Sequence, residues 1–280
     1  MDKRKITEEL LQMFIGHLQE DEKSEATIKK YTHDIRCFAE YAEGKEINKA
    51  LTLAYKALLD EKYATVSANS MLAALNMFLQ FMEWHDCCVK RFKIQKQTYC
   101  PEEKELTKAE YQRLIYTAGK QGNERLALLI QTICGTGIRV SELQYITVEA
   151  LKKGEAVVSC KAKTRTVFII SALCRKLLSY AKRKQIKSGS VFVTRTGKPV
   201  NRSNIWREMK ELCSQAAVAP EKVFPHNLRH LFARTFYCIE KDIAKLADIL
   251  GHTNVNTTRI YIVTTGAEHR RKLESMRLVT

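Results

Sequence analysis

The feature that most limits what this chain can fold into is the spacing of its apolar residues. It follows a helical period along most of the length and gives way to a β pattern in one central stretch. Leu10, Leu11, Phe14, Ile15 and Leu18 share one helical face, as do Ile28, Tyr31, Ile35, Phe38 and Tyr41. Ser24 stands before the second run as an N-cap, with Thr27 a further candidate. Residues 50–59 predict a third helix and residues 67–84 a long apolar fourth, which together make a small bundle. The exception is residues 154–170. There Ala156-Val157-Val158-Ser159 and Thr166-Val167-Phe168-Ile169-Ile170 are β-rich around polar Cys160–Arg165, which predicts a hairpin with a basic tip. Val191-Phe192-Val193 reads as a further short strand, residues 195–199 as a turn, and the chain from Ser203 as successive helices. The fold class expected is mainly α with a small β-sheet.

Helical periodicity lapses between Arg91 and Glu105, a polar segment containing Pro101, and resumes at Thr107, where Glu110 three residues on completes a capping box. Helices are expected over residues 111–118 and 124–135. The division is a helical domain over residues 1–97, a linker over 98–104 and a second domain over 105–280. Charge divides at the same place. Residues 1–97 carry 15 Lys and Arg against 15 Asp and Glu, so the net charge of +16 lies wholly in the remainder. A region that basic favours a polyanion through counterion release, although a merely basic surface gives the same count. No apolar run is long enough to cross a membrane, and Met1-Asp2-Lys3-Arg4-Lys5 does not lead into a signal core. The nine cysteines are odd in number, irregularly spaced and without a Cys-x-x-Cys pair, so reduced thiols in a cytoplasmic protein are expected, with no zinc ribbon.

Three segments carry candidate chemistry. In Gly135-Thr136-Gly137-Ile138-Arg139-Val140-Ser141-Glu142-Leu143, two glycines bracket a helix junction and Glu142 can steady the Arg139 fork, leaving it to face a phosphate. No Gly-Lys-Ser/Thr follows, so a phosphate-binding loop is excluded. In Pro225-His226-Asn227-Leu228-Arg229-His230, Pro225 suits the first turn of a helix, and His226 and Arg229 point to one site. His226 and His230 also have zinc-ligand spacing, but Asn227 stands where a metalloprotease needs its glutamate. Leu250-Gly251-His252 ends a helix, and Tyr261 follows nine residues later. Taken singly, each segment has an ordinary reading: a surface ion pair, a histidine pair packed in a core, a structural tyrosine. Taken together, two arginines, two or three imidazoles and a phenol are the groups needed to attack a phosphodiester without a metal.

The order and spacing of these segments resemble the tyrosine recombinases, the phage-integrase and Xer family. Carried over by position, the resemblance implies that Arg139 and Arg229 clamp a phosphate and Tyr261 is the nucleophile. His226 assists proton transfer, His252 hydrogen-bonds the phosphate, and Glu142 and His230 support from behind. The family also uses a hairpin lysine as general acid. Here Cys160 and Ala162 replace the usual glycines, and Lys161 is the first choice with Lys163 open. The N-terminal bundle resembles the SAM-like core-binding domain; Lys29 and Lys30 there are either phosphate contacts or a solvated helix face, and Lys163 and Arg165 on the hairpin are further candidate DNA contacts. The implied partner is double-stranded DNA, bound by a homotetramer linked through a tail helix at residues 267–276, with no cofactor and no metal. A chain with no room before residue 10 for a further arm-binding domain is expected to be Xer-like. A type IB topoisomerase and a non-enzymatic DNA-binding protein on the same fold are the alternatives.

Overall fold

Side-chain caps set where the first three helices begin. The Thr7 hydroxyl accepts from the Leu10 amide (3.3 Å), Ser24 from Thr27 (3.3 Å) and Asn48 from Leu51 (2.9 Å), opening α1 (Glu8–Glu20), α2 (Glu25–Ala42) and α3 (Lys49–Lys62). The computed structural model describes residues 4–94, 104–160, 163–194, 196–261 and 266–276. The chain divides into two compact units, residues 1–96 and 97–280. Most of the expected linker, residues 98–103, lies outside the described residues.

In the first unit α2 packs against α1, α3 and α4 (Thr65–Phe81). Phe14, Leu18, Ile35, Phe38, Leu72 and Phe78 form its core, with the Phe14 and Phe78 rings edge-on at 5.3 Å. The chain leaves α4 through a 3-10 turn (His85–Cys87) and runs extended along the bundle. Two asparagines on α4 hold it there. Asn76 exchanges both amide bonds with the Val89 backbone (2.8 and 2.9 Å), and Asn69 does the same with Phe92 (3.0 and 2.7 Å). The end of the helical pattern near Arg91 is therefore an ordered, side-chain-pinned strand of backbone. Of the two candidate phosphate contacts, Lys30 pairs with buried Asp34 one turn on and exposed Lys29 pairs with Glu25 at 2.6 Å.

The second unit is built around α6 (Glu124–Thr136), whose Leu126 to Ile130, Thr132 and Ile133 are all buried. A helix apolar on every side needs cover on every side. It is enclosed by α5 (Lys108–Lys120), α8 (Ser171–Arg183), α9 (Arg202–Ala216) and α10 (Pro225–Glu240). The expected capping box at Thr107 and Glu110 opens α5. After α6 come a 3-10 segment (Val140–Tyr145), the short α7 (Val148–Lys153) and an antiparallel pair, β1 (Glu155–Cys160) and β2 (Lys163–Phe168). Among the described residues this pair is the whole sheet. Pairing runs out to Cys160 opposite Lys163, so Thr164 and Arg165 belong to a strand rather than to the loop expected from their polarity. Ala156, Val158 and Val167 are buried on one face, and Arg165, opposite Val158, shares that face. Val191-Phe192-Val193 is not a strand. Val191 and Phe192 are buried, but around them the backbone makes only isolated bridges, Ser190 to Thr147 and Val193 to Pro199, with the Val191 amide on the Ile146 carbonyl, so no continuous ladder forms among the described residues.

The last elements are α11 (Ile243–Leu250), α12 (Val255–Arg259) and α13 (Gly266–Ser275). Among the described residues no helix is long and apolar enough to cross a membrane. The junction after α6 depends on Gly137, at φ +64°, where an added Cβ would lie 2.5 Å from the Phe232 ring and 3.1 Å from Leu250. Gly137→Ala is expected to cost roughly 2–4 kcal/mol, from left-handed strain plus overpacking. Thermal and denaturant unfolding of the full chain measures this, and a loss below about 1 kcal/mol would show that the junction relaxes freely.

Candidate active site

The C-terminal turn of α11 is where the candidate residues meet. A helix end leaves carbonyls without partners and carries partial negative charge. Here three successive carbonyls each accept from a different arginine. Arg165 Nη1 binds the Ile249 oxygen at 2.6 Å, Arg229 Nη2 the Leu250 oxygen at 2.7 Å, and Arg139 Nη2 the Gly251 oxygen at 3.3 Å. The arginines come from β2, α10 and the segment after α6, so three parts of the unit close on one turn of backbone.

Arg139 leads into the 3-10 segment, and Glu142 serves it twice. The carboxylate takes the Arg139 amide at 2.9 Å and its Nη1 at 2.8 Å, then Arg165 Nη2 at 2.7 Å. Glu142 is 2% exposed. Burial opposes its charge, but the Arg139 bonds and the Arg165 and Arg139 charges outweigh that, and its pKa falls below the usual carboxylate value. Arg229 is 1% exposed and also donates through Nη1 to the Gly137 carbonyl, across the junction that the glycine makes possible. Burial, then the charge on Arg139, lowers its pKa to about 10, so it stays protonated at neutral pH. Its Nε has no protein partner.

The imidazoles divide into two kinds. His252 Nε2 lies 3.0 Å from Arg229 Nη2, which can only donate, so this nitrogen is the acceptor. The proton is then on Nδ1, 2.9 Å from the Thr258 hydroxyl. His252 was expected to donate to a phosphate, whereas here its outward nitrogen is occupied by the arginine. Thr258, fully buried on α12, sets that tautomer, and no pattern in the sequence marks a threonine six residues after a histidine for this role. His226, in the first turn of α10 behind Pro225, sits with Nε2 3.4 Å from the Tyr261 hydroxyl. Desolvation, then the charges of Arg229 and Arg139, keeps its pKa below the ordinary value, which leaves it neutral and able to accept. His230 stacks on the Tyr261 ring at 4.2 Å and 26°. Tyr261 is 4% exposed, with the Arg229 guanidinium carbon 5.9 Å from its ring centre.

Arg139, Glu142, His226, Arg229, His230, His252 and Tyr261 thus come together within one unit. Lys161 lies outside the described residues, and Lys163 is placed only by its backbone. Arg165 is 14% exposed and turned inward on Glu142 and α11, not outward to a ligand, because the alternation of the strand puts it on the core face. Among the described residues no group of three His, Cys, Asp or Glu is arranged to hold a metal. Counting charge, the cluster holds three guanidiniums against one carboxylate and neutral imidazoles, an excess that an anion would balance.

Burial, with smaller contributions from neighbouring charges, holds His230 and His252 at about 4. An unfolded histidine titrates near ~6.5, so the unfolded chain takes up more protons between these values. Stability present above pH ~6.5 should therefore be lost as pH falls toward 4. Thermal midpoints recorded from pH 7.5 to 4.5 should decline, and His230→Phe, which keeps the stacked ring, should decline less steeply. An equal slope would remove His230 from this explanation.

Comparison with known proteins agrees with this picture. Residues 104–267 match the phage integrase family, and residues 11–86 match the phage integrase N-terminal SAM-like domain. Tyrosine recombinase XerA of Pyrococcus furiosus is 28% identical over 288 residues, covering 100% of this chain and 98% of that protein. Two crystal or solved structures share the fold. One is the XerH site-specific recombinase bound to its difH substrate (TM-score 0.70, 18% identity, 95% of this chain and 84% of that one). The other is the Tn1549 transposon integrase in complex with transposon right-end DNA (TM-score 0.74, 15% identity, 96% and 99%).

Proposed function

The chain belongs to the phage integrase family and is a tyrosine site-specific recombinase, and from that premise we propose how its own residues cut and rejoin DNA. The Tyr261 oxygen attacks the phosphorus of a scissile phosphodiester in duplex DNA. A bond forms from that oxygen to phosphorus, and the bond from phosphorus to the 5′ oxygen breaks. The products are a 3′-phosphotyrosyl enzyme and a free 5′ hydroxyl. The phenolic proton passes to neutral His226, and the departing 5′ oxygen takes a proton from a hairpin lysine, Lys161 or Lys163. A 5′ hydroxyl from another strand reverses the step. The linkage energy is kept in the phosphotyrosyl bond, so the scheme calls for neither nucleotide cofactor nor metal.

The observation that carries this reading is the charge excess beside Tyr261. As the phosphorus becomes five-coordinate its two non-bridging oxygens together approach two negative charges. Arg139, Arg165 and Arg229 less Glu142 leave two positive charges uncompensated in a largely water-excluded cluster. Charge placed in advance where charge develops is the largest single source of catalysis in such reactions. When DNA arrives, the phosphate replaces a carbonyl or His252 as the partner of the guanidiniums, and His252 donates to it in the other tautomer, with the proton on Nε2 and the Thr258 hydroxyl donating to Nδ1. A working assembly of four copies on two DNA sites is supported by the exposed apolar side chains of Leu273 on α13 and Met276 just past its end. The family relatives XerH and the Tn1549 integrase are solved on substrate or DNA, which supports duplex DNA as the partner here.

Tyr261→Phe keeps the ring that packs on His230 and removes only the nucleophile. On a nicked substrate that traps the covalent product, this variant should lose adduct by at least ~10³-fold while its gel-shift affinity stays within about twofold. Adduct formation by the unaltered chain should persist in excess chelator. Covalent product from the phenylalanine variant would overturn the assignment of Tyr261, and loss of wild-type adduct in chelator would overturn the metal-free scheme.

A further inference from the structure

Arg165 is the arginine of the cluster to which the reaction above assigns no contact with DNA. Its placement is specific. Strand alternation turns it onto the buried face with Ala156, Val158 and Val167. One end of its guanidinium binds Glu142 Oε2 at 2.7 Å and the other binds the Ile249 carbonyl at 2.6 Å. Between those ends its chain crosses Gly251 so closely that a Cβ there would lie 2.5 Å from Arg165 Cδ and 2.8 Å from Nε. Glycine at 251 therefore serves two purposes: the left-handed turn that ends α11, and room for this arginine.

Each atom that Arg165 holds belongs to something that holds a proposed phosphate ligand. The same Glu142 Oε2 takes the Arg139 backbone amide, and Oε1 takes Arg139 Nη1. Ile249 directly precedes the Leu250 carbonyl that binds Arg229, and His252 lies three residues on. Arg165 is thus a brace between the carboxylate that aims one guanidinium and the helix end that aims the other. It also couples β2 to both.

We propose that Arg165 is a positioning residue, which fixes the separation of Arg139 from Arg229 and His252 by tying Glu142 to the end of α11. This rests on the proposed reading of Arg139 and Arg229 as the phosphate clamp. Loss of the brace leaves Glu142 with one cationic partner instead of two and frees the α11 terminus from β2. Both guanidiniums remain, but their forks no longer converge on one phosphate geometry. A misplacement of about 1 Å by a group remote from the reacting atoms is enough to cost on the order of 10²-fold in rate.

The test uses the full chain with Arg165→Gln and Arg165→Lys, and a nicked duplex carrying either a normal scissile phosphate or a neutral methylphosphonate. A methylphosphonate lacks one of the charges that the two forks must hold, so it depends less on their alignment. With the phosphodiester, Arg165→Gln should form covalent product roughly 10–100-fold more slowly while DNA affinity holds within about threefold. With the methylphosphonate the deficit should shrink to within about fivefold, and Arg165→Lys, which keeps the charge and one donor, should fall between. The double variant Glu142→Gln with Arg165→Gln should be no slower than the slower single variant, since both act through one contact. An unchanged rate with weakened affinity would make Arg165 a DNA contact and overturn the proposal. So would an equal deficit on both substrates, which marks support of the fold alone. If the unaltered chain forms no adduct at all, the reading of Tyr261 and the clamp fails first, and that outcome is distinct from either of these.

Discussion

Three arginine side chains reaching three consecutive carbonyls at the end of α11 is the contact on which the rest of the second unit depends. A helix C-terminus offers partial negative charge and unfilled lone pairs, and guanidiniums satisfy both at once. Arg139, Arg165 and Arg229 are drawn from elements far apart in sequence, so their convergence fixes β2, α10 and the segment after α6 against a single short helix. Buried arginines are tolerable only where most of their donors are paired, and here both Nη atoms of Arg165 and of Arg229 are, although neither Nε is. Glu142 supplies the one formal countercharge, and Gly137 and Gly251 supply the space.

That arrangement couples stability to chemistry. The same guanidiniums that brace the backbone repel protons from His226, His230 and His252, after burial has already disfavoured their charged forms. Neutral imidazoles suit the reaction: His226 can take a proton from Tyr261, and His252 can hold Arg229 until an anion displaces it. In the proposed reaction a phosphate balances part of the two-charge excess of the cluster, and a dianionic transition state balances it more fully, which is the differential binding that catalysis needs.

Much of this was legible in the chain itself. The helices of the first unit follow from apolar spacing, and Ser24, Thr107 with Glu110, Pro225 and Gly251 mark helix ends where local hydrogen bonding is enough to decide them. The family could be recognised because Arg139, His226, Arg229, His252 and Tyr261 keep an order that chance does not produce. Other features were not legible. Thr164 and Arg165 looked like a polar loop, yet cross-strand pairing with Ser159 and Val158 carries them into a strand. Val191 to Val193 has strand composition but no neighbouring strand to complete a ladder. The pairing of Lys30 with buried Asp34 was not legible either.

The division between the two sources of information has a physical basis. Periodicity, caps and turn residues act over a few residues, so the sequence by itself determined the helical class, several helix ends and the set of candidate side chains for the site. Which way a side chain faces, and what else is competing for it, depends on groups brought in from a hundred residues away. Only the tertiary structure decided that Arg165 turns inward to Glu142, that Thr258 sets the proton on His252, and that His252 gives its free nitrogen to Arg229. Those outcomes are settled by packing and by the electrostatics of a buried cluster, neither of which is local in sequence.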